Sequence, residues 1–101
     1  IMIHSRQTTP DEIFEFGKRY NKLVSRKPLV VVPSTYNSVT EDELKANGVN
    51  VVIYANHLLR SAYPAMVTTA RSILKHQRSS ECDRSILSIQ DAFELFPGVR
   101  H

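Results

Sequence analysis

Three short apolar runs in this chain stop abruptly at polar clusters: Ile1-Met2-Ile3 at His4-Ser5-Arg6, Leu29-Val30-Val31-Val32 at Pro33-Ser34-Thr35, and Val51-Val52-Ile53-Tyr54-Ala55 at Asn56-His57. Runs that are apolar throughout, without polar alternation, fit strands buried on both faces, as in parallel sheets covered by helices. In such α/β sheets ligands bind beyond the carboxyl ends of the strands. The polar clusters therefore mark where a site is expected.

The segments between these runs are patterned as helices. Thr9-Pro10-Asp11-Glu12 predicts a helix start, with Thr9 as cap and Glu12 completing a capping box. Ile13, Phe16, Gly17, Tyr20, Leu23 and Val24 then recur at three and four, which predicts one apolar stripe running to about Val24. Thr40 with Glu43 is a second capping box, opening a short helix to about Asn47, and Gly48 suits the left-handed residue that follows. From His57 a long helix is predicted to about Gln77, with Leu58, Leu59, Ala62, Met66, Ala70, Ile73 and Leu74 facing inward and Pro64 marking a break or a new first turn. A polar link from Arg78 to Arg84 leads to a last helix near Ile89 to Phe96, capped by Ser88 with Asp91 and stopped by Pro97-Gly98.

The strands start about 25 residues apart, close to the ~30-residue unit of βαβ architecture. The order fits an open doubly wound sheet or one arc of a (β/α)₈ barrel. Short, evenly spaced strands without a glycine-rich phosphate loop favour the arc. The first run has no turn or cap ahead of it, as though a strand had been cut, so residues 1–101 are expected to be a single partial domain, the carboxyl-terminal portion of something larger.

Composition narrows the functions. With 42% hydrophobic and 23% charged residues the chain matches a folded domain, not a disordered one. No apolar stretch approaches the ~20 residues of a membrane helix, and the start lacks a signal-peptide pattern, so a cytoplasmic location is expected. Cys82 is the only cysteine, which excludes an internal disulfide and a multi-cysteine zinc site. A net charge of +3 invites a nucleic-acid reading, but the 13 Lys and Arg are scattered and often sit beside acids, and no nucleic-acid motif is present. A modest positive potential suits a small anionic substrate as well as a solvated surface.

At the junctions, His4 can donate to a carboxylate or phosphate and change charge near neutral pH; a neighbouring carbonyl satisfies it equally well. The hydroxyls of Ser34, Thr35 and Tyr36, with nearby backbone N–H groups, offer donors to anionic oxygens, although turn chemistry alone accounts for them too. Asn56 and His57 open a long helix, where the dipole favours anions; Asn56 as a plain N-cap is the simpler reading. No metal-ligand spacing joins His4, His57, His76 and His101, and no catalytic triad or P-loop can be assembled. The chain alone thus offers half an anion pocket, without bond-breaking groups.

Three of these segments together, Met2-Ile3-His4-Ser5, the run PLVVVPSTY from Pro28 to Tyr36, and Gly48 through Arg60 with its YANHLLR, resemble the carboxyl-terminal region of the phosphoenolpyruvate phosphomutases, in the phosphoenolpyruvate mutase and isocitrate lyase superfamily. The resemblance spans Met2 to about Phe96. It implies a TIM-type (β/α)₈ barrel of which this chain holds about strands 6 to 8, with carboxyl-terminal helices, residues 57–96, swapped between subunits of a dimer or tetramer. It implies an isomerase of phosphonate biosynthesis that interconverts phosphoenolpyruvate and phosphonopyruvate with Mg²⁺, whose ligands belong to earlier strands absent here. His4 becomes the catalytic candidate, and Ser5, Ser34, Thr35 and Asn56 the substrate-binding ones. Phosphonopyruvate hydrolase is the alternative within the superfamily, and a non-catalytic assembly module the alternative outside it. By itself the 101-residue chain is expected to be inactive, because the metal and gating half is missing from it.

Overall fold

A computed structural model describes residues 1–98. It divides into two units, one of residues Ile1–Asn56 and one beginning at His57.

In the first unit, β1 (Met2–Ile3), β2 (Val30–Val31) and β3 (Val51–Val52) form a parallel sheet in the order β1-β2-β3. Met2, Val30 and Val51 lie in one row of the register, and Ile3, Val31 and Val52 in the next. The strands are shorter than the apolar runs that announced them, though the Ile53 N–H donates to the Val31 carbonyl at 2.9 Å and carries the pairing one residue further. Successive side chains alternate between faces. The face bearing Ile3, Val31 and Val52 meets two helices, α1 (Asp11–Tyr20) and α2 (Glu41–Ala46), around a core of Ile13, Leu29, Val31, Tyr36, Leu44 and Val49. The opposite face is open: Met2 is 55% and Val51 44% exposed. Burial on both faces, expected from the apolar runs, is met within this unit on one side only.

Helix α1 departs from expectation at both ends. Pro10, not Thr9, holds the N-cap position, and the Thr9 hydroxyl donates instead to the Asp11 carboxylate at 2.9 Å. Glu12 thus becomes the second helical residue and cannot close a capping box. The helix ends at Tyr20, four residues early, because the Tyr20 hydroxyl staples the returning chain: it donates to the Lys27 carbonyl at 2.8 Å and accepts from the Lys27 N–H at 2.7 Å. Leu23 and Val24, read as the end of the stripe, are exposed. A Cβ on Gly17 would lie 2.5 Å from the Asn47 carbonyl oxygen, so glycine lets α1 approach the end of α2.

Helix α2 forms as read. Thr40 Oγ1 accepts from the Glu43 N–H and the Glu43 carboxylate accepts from the Thr40 N–H, at 3.2 and 3.1 Å. Gly48 follows at φ 87°, the left-handed region.

The second unit is helical. Helix α3 (His57–His76) runs through Pro64 without the expected break, the one bond that proline removes being outweighed by the turns on either side. Among the described residues no α3 side chain is buried, so the stripe expected to face inward, Leu58 and Leu74 included, stands open. The polar link from Arg78 to Arg84 holds a 3₁₀ turn at Ser80–Ser85. An Arg78–Glu81 ion pair braces it, and the buried Cys82 thiol donates to the Ser79 carbonyl at 3.0 Å. Helix α4 (Ile89–Glu94) is capped by Ser88, whose hydroxyl accepts from the Asp91 N–H at 3.1 Å. No described helix is long and apolar enough to cross a membrane.

Candidate active-site edge

Because the three strands are parallel, the residues after Ile3, Val31 and Val52 emerge along one edge of the sheet. His4 comes directly after β1 and is exposed. Two residues on from Met2, it continues the open face by strand alternation. Ser5 is half-buried, and its hydroxyl oxygen accepts from the Gln7 N–H at 3.1 Å. That bond leaves the Ser5 hydroxyl hydrogen to be donated elsewhere.

After β2 the chain turns tightly. The Ser34 N–H donates to the Val32 carbonyl at 2.9 Å, so this backbone donor is spent within the turn. Pro33 and Tyr36 are buried on either side, which leaves Ser34 and Thr35 exposed between two anchors. The Thr35 hydroxyl donates to the Ser5 carbonyl at 2.7 Å. This bond crosses thirty positions of sequence and joins the loops after β1 and β2. Asn56, the last residue of the first unit, is exposed and shares the edge through β3 alone. The structure thus brings together His4, Ser5 and Thr35 with Ser34 beside them, while Asn56 has no such tie.

Two features of this region were not foreseen. The Tyr54 hydroxyl donates to a Glu41 carboxylate oxygen at 2.7 Å, linking the segment after β3 to the first turn of α2. Donating to that carboxylate raises the phenol above its ordinary pKa, with desolvation and the carboxylate's charge adding in the same direction. The only sequence signal was an acid in a helix first turn, read as a partner for the dipole. Among the described residues Tyr36, completely buried, has no hydrogen-bond partner for its hydroxyl, and desolvation raises its pKa.

Among the described residues, no three His, Cys, Asp or Glu side chains converge in a way that could hold a metal ion. These residues therefore do not fit magnesium.

The sequential parallel sheet, the helices on one of its faces and the polar edge at the strands' carboxyl ends define a partial α/β fold. The profile of the family described as phosphoenolpyruvate phosphomutase matches residues 1–74, and the chain belongs to that family. It is 40% identical over 96 residues to the phosphonopyruvate hydrolase of Variovorax sp. (strain Pal2), covering 94% of this chain and 32% of that protein. The crystal structure of a phosphoenolpyruvate phosphomutase from Streptomyces platensis subsp. rosaceus superposes with a TM-score of 0.84 at 35% identity, covering 93% of this chain and 32% of that one. A phosphonopyruvate hydrolase in complex with oxalate and magnesium superposes at 0.78 and 38% identity, covering 94% and 33%. The chain spans 26–32% of the length of the curated relatives it matches.

Proposed function

We propose that this chain is the carboxyl-terminal part, about strands six to eight with their helices, of a (β/α)₈ enzyme that interconverts phosphoenolpyruvate and phosphonopyruvate. The observation that carries this reading is the tied edge of His4, Ser5 and Thr35 within the matched residues 1–74. Residues 57–96, with their bare apolar stripe, exchange between subunits of a dimer or tetramer on this reading.

In the reaction the carbon–phosphorus bond of phosphonopyruvate breaks, and a phosphorus–oxygen bond forms to the enolate oxygen of the same molecule. The transferring group passes through a loose state with negative charge spread over its three oxygens, so positioned donors carry much of the catalysis. A His4 imidazole N–H donates to one of those oxygens. The Ser5 hydroxyl supplies a neutral donor one residue away, and the Ser34 hydroxyl and Asn56 amide complete the edge. Donors held in place before the reaction need no reorganisation as the charge develops. On this reading the magnesium ligands belong to earlier strands of the barrel, and the metal would supply further charge stabilisation to the transferring group.

The 40% identity to a hydrolase favours a second reading, in which water attacks phosphorus as the carbon–phosphorus bond breaks, releasing phosphate and pyruvate. Phosphorus NMR of the full-length enzyme with phosphonopyruvate and magnesium decides between them. Phosphoenolpyruvate as product supports the mutase, inorganic phosphate the hydrolase, and unchanged phosphonopyruvate overturns both. The 101 residues alone are expected to leave the substrate unchanged in the same assay, and turnover by them would refute the division of the site between two halves of a barrel.

A further inference from the structure

The Thr35 hydroxyl of this edge is committed to another loop. A hydroxyl has a single hydrogen, and the 2.7 Å bond assigns it to the Ser5 carbonyl. The oxygen that remains can only accept. A phosphonyl or carboxylate oxygen carries no hydrogen to give, so the Thr35 side chain has no donor to offer an anion while this bond stands. The bond's other end matters more: the Ser5 carbonyl belongs to the residue immediately after His4, and β1 ends at Ile3. His4 therefore lies between a strand that fixes one side of it and a hydrogen bond that fixes the other. The anchoring end is itself rigid, because Thr35 sits between the Val32–Ser34 turn and Tyr36, which is wholly buried.

We infer that Thr35 is a positioning residue that holds the His4 loop in its reactive place and does not bind the substrate. The inference rests on the proposed role of His4. It follows that the hydroxyl is needed and the methyl group is not. Thr35→Val keeps the shape and removes the donor, whereas Thr35→Ser keeps the donor and removes the methyl. A displacement of about 1 Å at a catalytic group can cost on the order of 10²-fold in rate. In the full-length enzyme, Thr35→Val should lower kcat with phosphonopyruvate by roughly 10- to 100-fold while KM changes less than about threefold, and Thr35→Ser should stay within about threefold of the parent in both. In a His4→Ala background the further loss from Thr35→Val should shrink to less than about twofold, because residues acting as a unit are not additive. A full additional loss in that background, or a rise confined to KM, would mean that Thr35 acts on the substrate directly and would overturn the inference.

A readout independent of turnover keeps this separate from the functional reading. The ¹H–¹³C NMR signal of the His4 imidazole should shift or broaden in Thr35→Val and remain in place in Thr35→Ser. An enzyme inert to phosphonopyruvate but showing this pattern would overturn the proposed reaction and keep Thr35 as the anchor of the loop. An imidazole signal unmoved by Thr35→Val would overturn the anchor.

Discussion

Tyr36 offers a sharp energetic test. Its side chain is completely buried beside Ile13, Leu29, Val31, Leu44 and Val49, and its hydroxyl has no hydrogen-bond partner. A buried donor left unsatisfied costs about 1–3 kcal/mol of desolvation that folding does not recover. Tyr36→Phe deletes that oxygen and leaves the ring in contact with the same neighbours, so the variant should be more stable than the parent, by about 1 kcal/mol. Tyr36→Ala, which also empties the ring's volume, should instead lose about 3–5 kcal/mol. Urea unfolding followed by circular dichroism measures both, with an unchanged m-value showing that the midpoint shift reflects stability. Alkaline pH supplies a second axis. Burial raises the Tyr36 pKa above 10.0, so the folded state holds its proton to higher pH than the unfolded state does. The unfolded state therefore binds fewer protons above about pH 10, and stability falls as pH rises through that window. Phenylalanine cannot ionise, so the advantage of Tyr36→Phe should widen there. A Tyr36→Phe variant less stable than the parent by 1 kcal/mol or more would refute this reasoning and show that the hydroxyl is bonded to a water or to another part of the protein.

Other consequences can be checked in the same material. His4→Ala should lower turnover of phosphonopyruvate by on the order of 10²-fold or more, the loss of one preorganised donor, with the melting temperature little changed because His4 is exposed; unchanged kinetics would remove it from the site. Gly48→Ala should destabilise by roughly 1–3 kcal/mol in denaturant melts, since φ is 87° and the new Cβ would collide with the Asn21 side chain, whose amide donates to the Asn47 carbonyl; a neutral result would show that Asn21 moves aside freely. The Tyr54 phenol should titrate above 10.0 by ¹³Cζ NMR and fall back toward the ordinary value in Glu41→Ala, because the neutral phenol is the form that donates to the carboxylate. A Tyr54 titration that ignores Glu41→Ala would discard the link between these two segments.

Local chemistry was legible in the sequence. The Thr40–Glu43 capping box, the Ser88 cap and the left-handed Gly48 involve residues within three positions of one another or of a helix end, and all stand where the sequence placed them. The places where sequence misled involve a competitor from outside the pattern. The N-cap fell on Pro10, one residue later than a Thr9 box required, and the Lys27 backbone took the Tyr20 hydroxyl and turned the chain before Leu23 and Val24 could join the stripe. At the candidate edge the sequence marked which residues stand at the strand ends, because an apolar run that stops is a local signal. It did not reveal that Thr35 gives its hydrogen to Ser5, since that contact depends on the register of β1 against β2 and on the depth at which Tyr36 anchors the loop.

The two faces of the sheet then account for why the edge is half a pocket. Alternation puts Ile3, Val31 and Val52 against the helices and closes that side, while Met2, Val30 and Val51 occupy the side that holds His4 one step beyond the strand. Side chains on that second face cannot exclude water from the edge while Met2 and Val51 are 55% and 44% exposed. Donors to a transferring phosphoryl group act most strongly where water is excluded, and in a mutase water must also be kept from phosphorus. On the barrel reading, whatever packs against Met2, Val30 and Val51 forms the floor beneath His4 and sets how much its donor would contribute. This makes Met2→Lys informative in the full-length enzyme: a charge on a face that closes over the reacting group should lower turnover and let phosphate appear among the products, whereas a charge on a face that remains in water should do neither. Wild-type product ratios with Met2→Lys would count against a covered face and against the barrel reading that requires one.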